Sequence, residues 1–394
     1  MVLPLEGITV LELARTLAGP VTGQMLGDLG AEVIKVEQPH VGDESRRFVP
    51  PEWNGESCYF LSSNRNKKSI TVNLKSEKGR EIIYELVKKS DILIENFRTG
   101  AQEKLGIDYE TLKKINPRLI YVSISGFGRT GPEKYRAGYD LLIQAYSGLM
   151  STTGEKGKPY KAGPSVVDMT TGILGALGAL AALIAREKTG EGQFVDCSLL
   201  DGQVMMLNHL ATAYFATGKS AEPMGQGHNS IVPYQVFPAR DKQIIIAAAN
   251  DALWEKMCRA LGWEDLLEIE EYKTNKQRVE NRDKLVPILS ERLSKLSSKE
   301  ICDKLDEAGV PNGPINTVGE VVTSPQAVAR EMMIEIDHPK IKGLKTPAFP
   351  IKFSDTPATV RMHPPLLGEH TEEVLASLGY DQEEIEAMSE QGVI

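Results

Sequence analysis

Over its first two hundred residues the chain alternates short β-branched apolar runs with segments of helical spacing. Ile8 to Leu13 is the first such run, and it predicts a buried strand. A loop, Ala14 to Gly19, follows, and Pro20 suits a first helical position, where its missing N–H costs nothing. Gly30 suits the helix stop, and Ala31 to Val36 reads as the next strand. Gly79 to Lys89 puts Ile82, Ile83, Leu86 and Val87 on one helical face. Asp91 to Phe97 and Leu119 to Ser125 read as strands around a short helix, Tyr109 to Ile115, which Asn116-Pro117 ends. Met169 to Arg186 and Leu199 to Thr217 read as two long helices, with Gly218 as a stop. In the first of these, Gly172, Gly175, Ala176, Ala179 and Ala182 fall on one face, which predicts close approach to another backbone.

The pattern changes after residue 218. Residues 219–233 are rich in Gly, Pro and polar residues and read as a linker. Tyr234 to Phe237, a turn at Arg240-Asp241 and Ile244 to Ile246 predict a hairpin, and helices follow to about residue 308. One of them begins at Ser297-Ser298-Lys299-Glu300, which has capping-box spacing. The tail carries short strands and a last helix after His370. The expectation is an α/β chain with a mainly parallel sheet in a large domain, and a smaller α+β domain. Residues 1–218 form the first part of the large domain, 219–233 the linker, 234–324 the small domain and 325–394 a tail returning to the large one. A parallel βαβ start places its first loop at the carboxyl edge of the sheet, where such folds bind ligands.

A net charge of -9 argues against a general nucleic-acid binder, yet leaves room for one cationic pocket. The longest run free of strong polarity, Gly172 to Ala185, falls short of a membrane span. Met1 to Glu6 shows neither a basic nor an apolar leader region, so no secretory signal is expected. Cys58, Cys197, Cys258 and Cys302 form no C-x-x-C pair and the histidines no H-x-x-x-H pair. Neither disulfides nor a metal site is expected, and a reducing, cytoplasmic setting is.

Three segments carry candidate chemistry. Gly126-Phe127-Gly128-Arg129-Thr130-Gly131 fits G-x-G-x-x-G after a strand, but Pro132 to Gly138 reads as loop rather than the helix a dinucleotide site needs. Asn64-Arg65-Asn66-Lys67-Lys68 reads either as a solvated turn or as a phosphate contact, which Lys75, Arg98 and Lys104 could join. Asp168 directly precedes the small-residue helix. It reads either as an N-cap or as a carboxylate nucleophile, ionised at neutral pH without a helper base. No G-x-S-x-G elbow occurs.

Leu3 to Ile8, Leu17-Ala18-Gly19-Pro20, Leu29 to Glu37, Asn66 to Ile70, Glu95-Asn96-Phe97, Gly138-Tyr139-Asp140 and Pro365 to Thr371 occur in that order. In these motifs, and along essentially its whole length, the chain resembles the class III CoA-transferases, the formyl-CoA transferase and carnitine CoA-transferase family. The segment Gly227 to Phe237 narrows the resemblance to the branch that moves CoA from succinyl-CoA to glutarate. Leu17, Gln38 and Ala137 stand where the formyl-CoA branch has Gln, Arg and Lys, and Gly225-Gln226-Gly227 where it has a longer glycine loop.

The resemblance implies a Rossmann-like large domain, an interlocked homodimer, and Asp168 as nucleophile. It implies acyl-CoA and carboxylic acid substrates and no permanently bound cofactor, with no nucleic-acid or membrane partner. It places CoA contacts on Arg15, Thr16 and Leu17, on Val72, Asn73, Leu74 and Lys75, on Asn96, Phe97 and Arg98, on Lys104, and on Ala137, Gly138, Tyr139 and Asp140. A second substrate carboxylate needs a cation or N–H donors, for which the loop residues Arg46, Arg47, Gly225, Gln226, Gly227 and His228 are candidates. Amides of Gly225-Gln226-Gly227 are also expected to stabilise oxyanions. The small-residue face is the expected physical basis of the dimer. Two rival functions are an α-methylacyl-CoA racemase, whose acid-base His would stand where Tyr139 is, and a non-catalytic CoA-binding protein.

Overall fold

β-branched runs with both faces apolar are buried between two helical layers, and such runs form the middle of the chain's six-stranded sheet. In the computed structural model, which describes residues 2–394, the chain forms two units. The first takes residues up to Leu149, Ala162–Thr217 and Gln326–Ile394, and the second Met150–Lys161 and Gly218–Pro325. The second unit thus includes a segment, 150–161, that the sequence pattern left in the first.

The first unit holds β1 (Thr9–Glu12), β2 (Glu32–Glu37), β3 (Lys67–Thr71), β4 (Ile92–Glu95), β5 (Ile120–Ser125) and β6 (Phe194–Ser198). They lie in the order β6-β5-β4-β1-β2-β3 and every pairing is parallel. Leu11 sits between Ile34 and Leu93 in register. The strand order reverses at β1, so the crevice between the ends of β1 and β4 is the switch point of a doubly wound sheet. β3 is the strand the sequence pattern missed, because it opens on Lys67-Lys68.

The helices that flank or follow these strands include α1 (Ala18–Asp28), α2 (Glu77–Lys89), α3 (Tyr109–Ile115), α4 (Asp140–Tyr146), α5 (Val166–Thr189) and α6 (Leu199–Thr217). One sheet face packs Val10, Ile92, Ile94, Val122 and Ile124 with α1 and α5. The other packs Leu11, Leu93 and Tyr121 with Ile82, Ile83, Leu86 and Val87 of α2, and with the tail helices Thr371–Leu378 and Gln382–Glu390. Pro20 lies at the third position of α1, still within the turn whose N–H groups lack partners. Asn208 breaks α6 with a left-handed φ of 42°.

The Gly/Ala face of α5 is spent inside the chain, against α1. A Cβ on Gly172 would meet the Ala18 carbonyl at 2.8 Å, and one on Gly175 would meet Thr22 Oγ1 at 2.6 Å. Thr22 Oγ1 donates to the Gly172 carbonyl at 2.9 Å. This corrects the expectation that this face serves a dimer: Met169, Ile173, Leu177 and Ile184 are the exposed apolar residues of α5. By length and composition α5 could also cross a membrane, which the run Gly172 to Ala185 alone did not suggest.

The second unit has an antiparallel sheet of β7 (Tyr234–Pro238), β8 (Gln243–Ala247) and β9 (Asn312–Pro314). It packs with α7 (Asp251–Leu261), α8 (Arg282–Leu293) and α9 (Ser298–Glu307) around Phe237, Ile244, Ile246, Trp254, Leu289 and Ile301. Ser297 caps α9 through the Glu300 N–H. β9 carries Gly and Pro in place of β-branched residues, which hid it from the sequence pattern.

Candidate active site

The loops after β1 and β4 form one wall at the switch point, and a reciprocal pair of hydrogen bonds ties them. The Arg15 N–H donates to Asn96 Oδ1 at 2.9 Å, and Asn96 Nδ2 donates to the Arg15 carbonyl at 2.7 Å. Behind them Glu95 is fully buried and accepts the Phe97 N–H. Arg129 braces the same loop: its guanidinium donates to Glu95, to the Phe97 carbonyl and to Thr99 Oγ1. Burial pushes the Glu95 carboxyl up, against the pull of Arg129.

Asp168 stands in the first turn of α5 and lines the same cavity. It is not the cap of its helix. Ser165 holds the cap position without a side-chain bond. The capping carboxylate comes from Asp140, whose Oδ2 accepts the N–H groups of Val167 at 2.9 Å and Asp168 at 3.3 Å. Gln144 holds the other oxygen of Asp140. A charge at a helix N-terminus is stabilised by the dipole, yet Asp168 is pushed up to about 7 by burial and by the neighbouring charge of Asp140. Among the described residues no hydrogen bond to its carboxylate offsets this. The result is a poorly solvated carboxylate whose ionised form is held at a disadvantage by its surroundings, the kind of perturbation found at functional sites.

Around this carboxylate the cavity is basic. Arg15, Arg98, Arg129, Lys134 and Arg136 line it, against Glu44 and Asp168 itself. Leu17 and Ala18 bring to it the N-terminus of α1, which no side chain caps. Unpaired amides at a helix N-terminus suit an anion or a developing oxyanion. Gly126 and Gly138 let two loop strands touch at the floor, where a Cβ on either would lie within 2.6 Å of the other backbone. That contact is the physical use of the G-x-G-x-x-G segment, which here continues as loop.

Of the expected contacts, Arg15, Thr16, Leu17, Asn96, Phe97, Arg98, Ala137, Gly138, Tyr139 and Asp168 line this cavity together. Val72, Asn73, Leu74, Lys75 and Lys104 do not line it. Val72 is buried, and Asn73 is tied by its N–H to the Val393 carbonyl. Asp140 serves α5 rather than the cavity. Arg129, Lys134 and Arg136 were missed, although their place in a Gly-rich loop after a strand was a signal.

Several acceptor candidates are already engaged. Arg46 makes a two-pronged bond to Glu37, at 2.7 and 2.8 Å, and stacks on Phe60, so it is no free carboxylate receptor. Arg47 is exposed. In the second unit the Gly225 N–H donates to the Gly154 carbonyl and the Gly227 N–H to that of Met224, which spends two of the amides expected for oxyanions. Gln226 accepts the Val236 N–H through its carbonyl, and His228 Nδ1 accepts that of Ser230. The basic cluster is neither turn nor phosphate site. Lys67 is wholly buried on Glu12, Arg65 is buried on Asp28, and Lys68 pairs with Glu32 and Glu373.

Residues 5–371 match the profile of CoA-transferase family III. The chain is 42% identical over 393 residues to the succinyl-CoA:glutarate CoA-transferase of Homo sapiens, covering 99% of this chain and 90% of that protein. It is 42% identical to the succinate--glutarate CoA-transferase of Agrobacterium fabrum, over 95% of this chain and 96% of that one. The crystal structure of a CAIB/BAIF family protein from Brucella suis superposes with a TM-score of 0.87 at 43% identity, covering 96% of this chain and all of that one. With a doubly wound sheet, a cationic crevice at its switch point and a carboxylate poised within it, the chain belongs to the class III CoA-transferases.

Proposed function

We propose that this enzyme moves CoA from succinyl-CoA to a short dicarboxylic acid of about five carbons, glutarate or a substituted relative. The observation that carries the reading is Asp168, a carboxylate held near neutral pKa in a cation-lined crevice. The names of the relatives supply the acids. In the first step Asp168 attacks the donor thioester carbonyl, CoA leaves as thiolate, and an aspartyl-acyl anhydride forms. The thiolate then attacks the Asp168 carbonyl, giving an aspartyl-CoA thioester and the free donor acid. The acceptor carboxylate attacks that thioester and forms a second anhydride with Asp168, and the thiolate released takes the acceptor's acyl carbonyl. Asp168 is regenerated as carboxylate. Each step exchanges one activated acyl bond for another, so no further energy source is needed.

The cations of the crevice suit the phosphates of CoA, and Arg47 remains a candidate for the far carboxylate of the acceptor. A panel of acids incubated with succinyl-CoA and read by mass tests this. Five-carbon dicarboxylates are expected to outpace monocarboxylates of equal length by about 10-fold or more, the scale on which a missing charged contact is felt. Equal rates for both classes would refute the acceptor assignment and leave the transferase reading intact.

We further propose a homodimer, built on the apolar residues of α5 and α6 that the fold leaves exposed. Ile173, Leu177 and Ile184 on one helix, and Val204, Met205, Met206 and Phe215 on the other, are exposed on two helices that pack against each other, and grouped apolar side chains of this kind suit an interface. Sedimentation is expected to give twice the chain mass at micromolar concentration, and a sole monomer would overturn the proposal.

A further inference from the structure

Thr16 has a φ of 72°, a left-handed conformation that β-branched residues avoid. It sits in the loop between β1 and α1 that walls the crevice. Four backbone polar groups of that loop are claimed by side chains from elsewhere. The Ala14 carbonyl accepts from Lys35 Nζ at 2.9 Å, and both polar groups of Arg15 go to Asn96. The Thr16 N–H donates to both oxygens of Asp43, at 3.0 and 3.2 Å.

Asp43 is itself fixed. Its Oδ1 accepts the N–H and hydroxyl of Ser45, and its Oδ2 lies 2.8 Å from Lys35 Nζ, which is wholly buried. Lys35 also bonds Glu12, and Glu12 pairs with Lys67, so a chain of buried charges runs from β3 through β1 and β2 to the loop. Burial opposes the charge of Asp43, but Lys35 outweighs it and holds the carboxyl down, at about 2. Burial likewise works against Lys35, and the carboxylates of Asp43, Glu12 and Glu37 overcome it and raise its pKa. Such a network is costly to assemble from solvated charges, so its use is sought in what it positions rather than in stability.

We propose that Asp43 is a positioning residue for the CoA crevice: it holds Thr16 in its left-handed conformation and so sets the wall that an acyl-CoA meets. The inference rests on the proposed function, since it takes CoA as the ligand of the crevice. Asp43 does not touch the reacting atoms. It acts through the Thr16 N–H, and the carboxylate can do so because Lys35 keeps it charged and in place.

A double cycle on the full-length protein tests this, with CoA binding by calorimetry as the readout. Glycine adopts a positive φ without strain, so Thr16→Gly removes the need for a carboxylate to enforce it. Asp43→Ala, which leaves no acceptor for the Thr16 N–H, is expected to weaken CoA binding by about 10-fold or more in the wild-type background, and by no more than about 3-fold in the Thr16→Gly background, a coupling typical of residues in contact. An equal loss in both backgrounds would overturn the proposal, as would no loss in either. If Asp43→Ala fails to fold, recovery of a folded, CoA-binding protein in the double variant supports the role, and failure of the double variant to fold refutes it. A wild-type protein that binds no CoA would refute the functional reading instead. The melting temperatures of the same four proteins would then still decide whether residues 43 and 16 are coupled.

Discussion

Replacing Asp168 by asparagine is expected to abolish CoA transfer, with a loss on the order of 1000-fold or more, as for other enzymes stripped of a covalent nucleophile. Asparagine keeps the size of the side chain and the helix start, so CoA binding should change little. The amide nitrogen has no free lone pair with which to open a thioester, so no covalent adduct should form. Mass spectrometry of the wild-type protein incubated with acyl-CoA should find the adduct on the peptide carrying Asp168. An active asparagine variant, with its sequence checked against deamidation, would refute the mechanism. Loss of CoA binding along with activity would point to a structural role for Asp168 instead.

The elements that the sequence made legible are those whose burial shows as a regular period of apolar residues. α2 follows from a single apolar face, α3 from its Asn116-Pro117 stop, and β5 from Ile120, Val122 and Ile124 at alternate positions. β3 was hidden because two lysines look solvated in one dimension, whereas Lys67 is paired with a glutamate fifty-five residues earlier. No periodicity reports a buried ion pair. The same limit explains Asp168 and Asp140. Sequence spacing suggested that Asp168 capped its own helix, but the cap arrives from α4, twenty-eight residues upstream. The Gly/Ala face of α5 was rightly read as a site of close packing. Its partner could not be read, because α1 with its own small residues is separated from it by most of the sheet. The cavity cations Lys134 and Arg136 went unrecognised for a different reason: they sit on a loop, where no period marks which side chains converge.

The pH dependence of transfer should follow Asp168. Because burial and Asp140 push its carboxyl up to about 7, the enzyme should lose the reactive carboxylate as pH falls. kcat/KM for the donor is expected to be flat above about pH 8 and to fall toward tenfold per unit well below pH 7, reporting the free enzyme. The sign for stability runs the same way as for any group with a raised folded pKa. The stabilisation from protonated Asp168 is complete below its unfolded value near 4 and is lost as pH rises through about 7. Asp168→Asn should therefore melt above the wild type at pH 8 and alongside it at pH 4. Asp140→Asn separates the two causes of the shift. Its amide oxygen can still accept from Val167 and Asp168, so the helix cap survives, but the negative charge is gone. The acid limb of the rate profile should move to lower pH, with burial, the larger cause, accounting for the shift that remains. Asp140→Ala should move it equally and also lower the melting temperature, since a lost cap costs about 1 kcal/mol. A profile that keeps its midpoint in both variants would show that Asp140 tunes nothing and serves the helix alone. A wild-type profile flat from pH 5 to 8 would show that the carboxylate is ionised throughout, and that the crevice solvates it better than its burial implies.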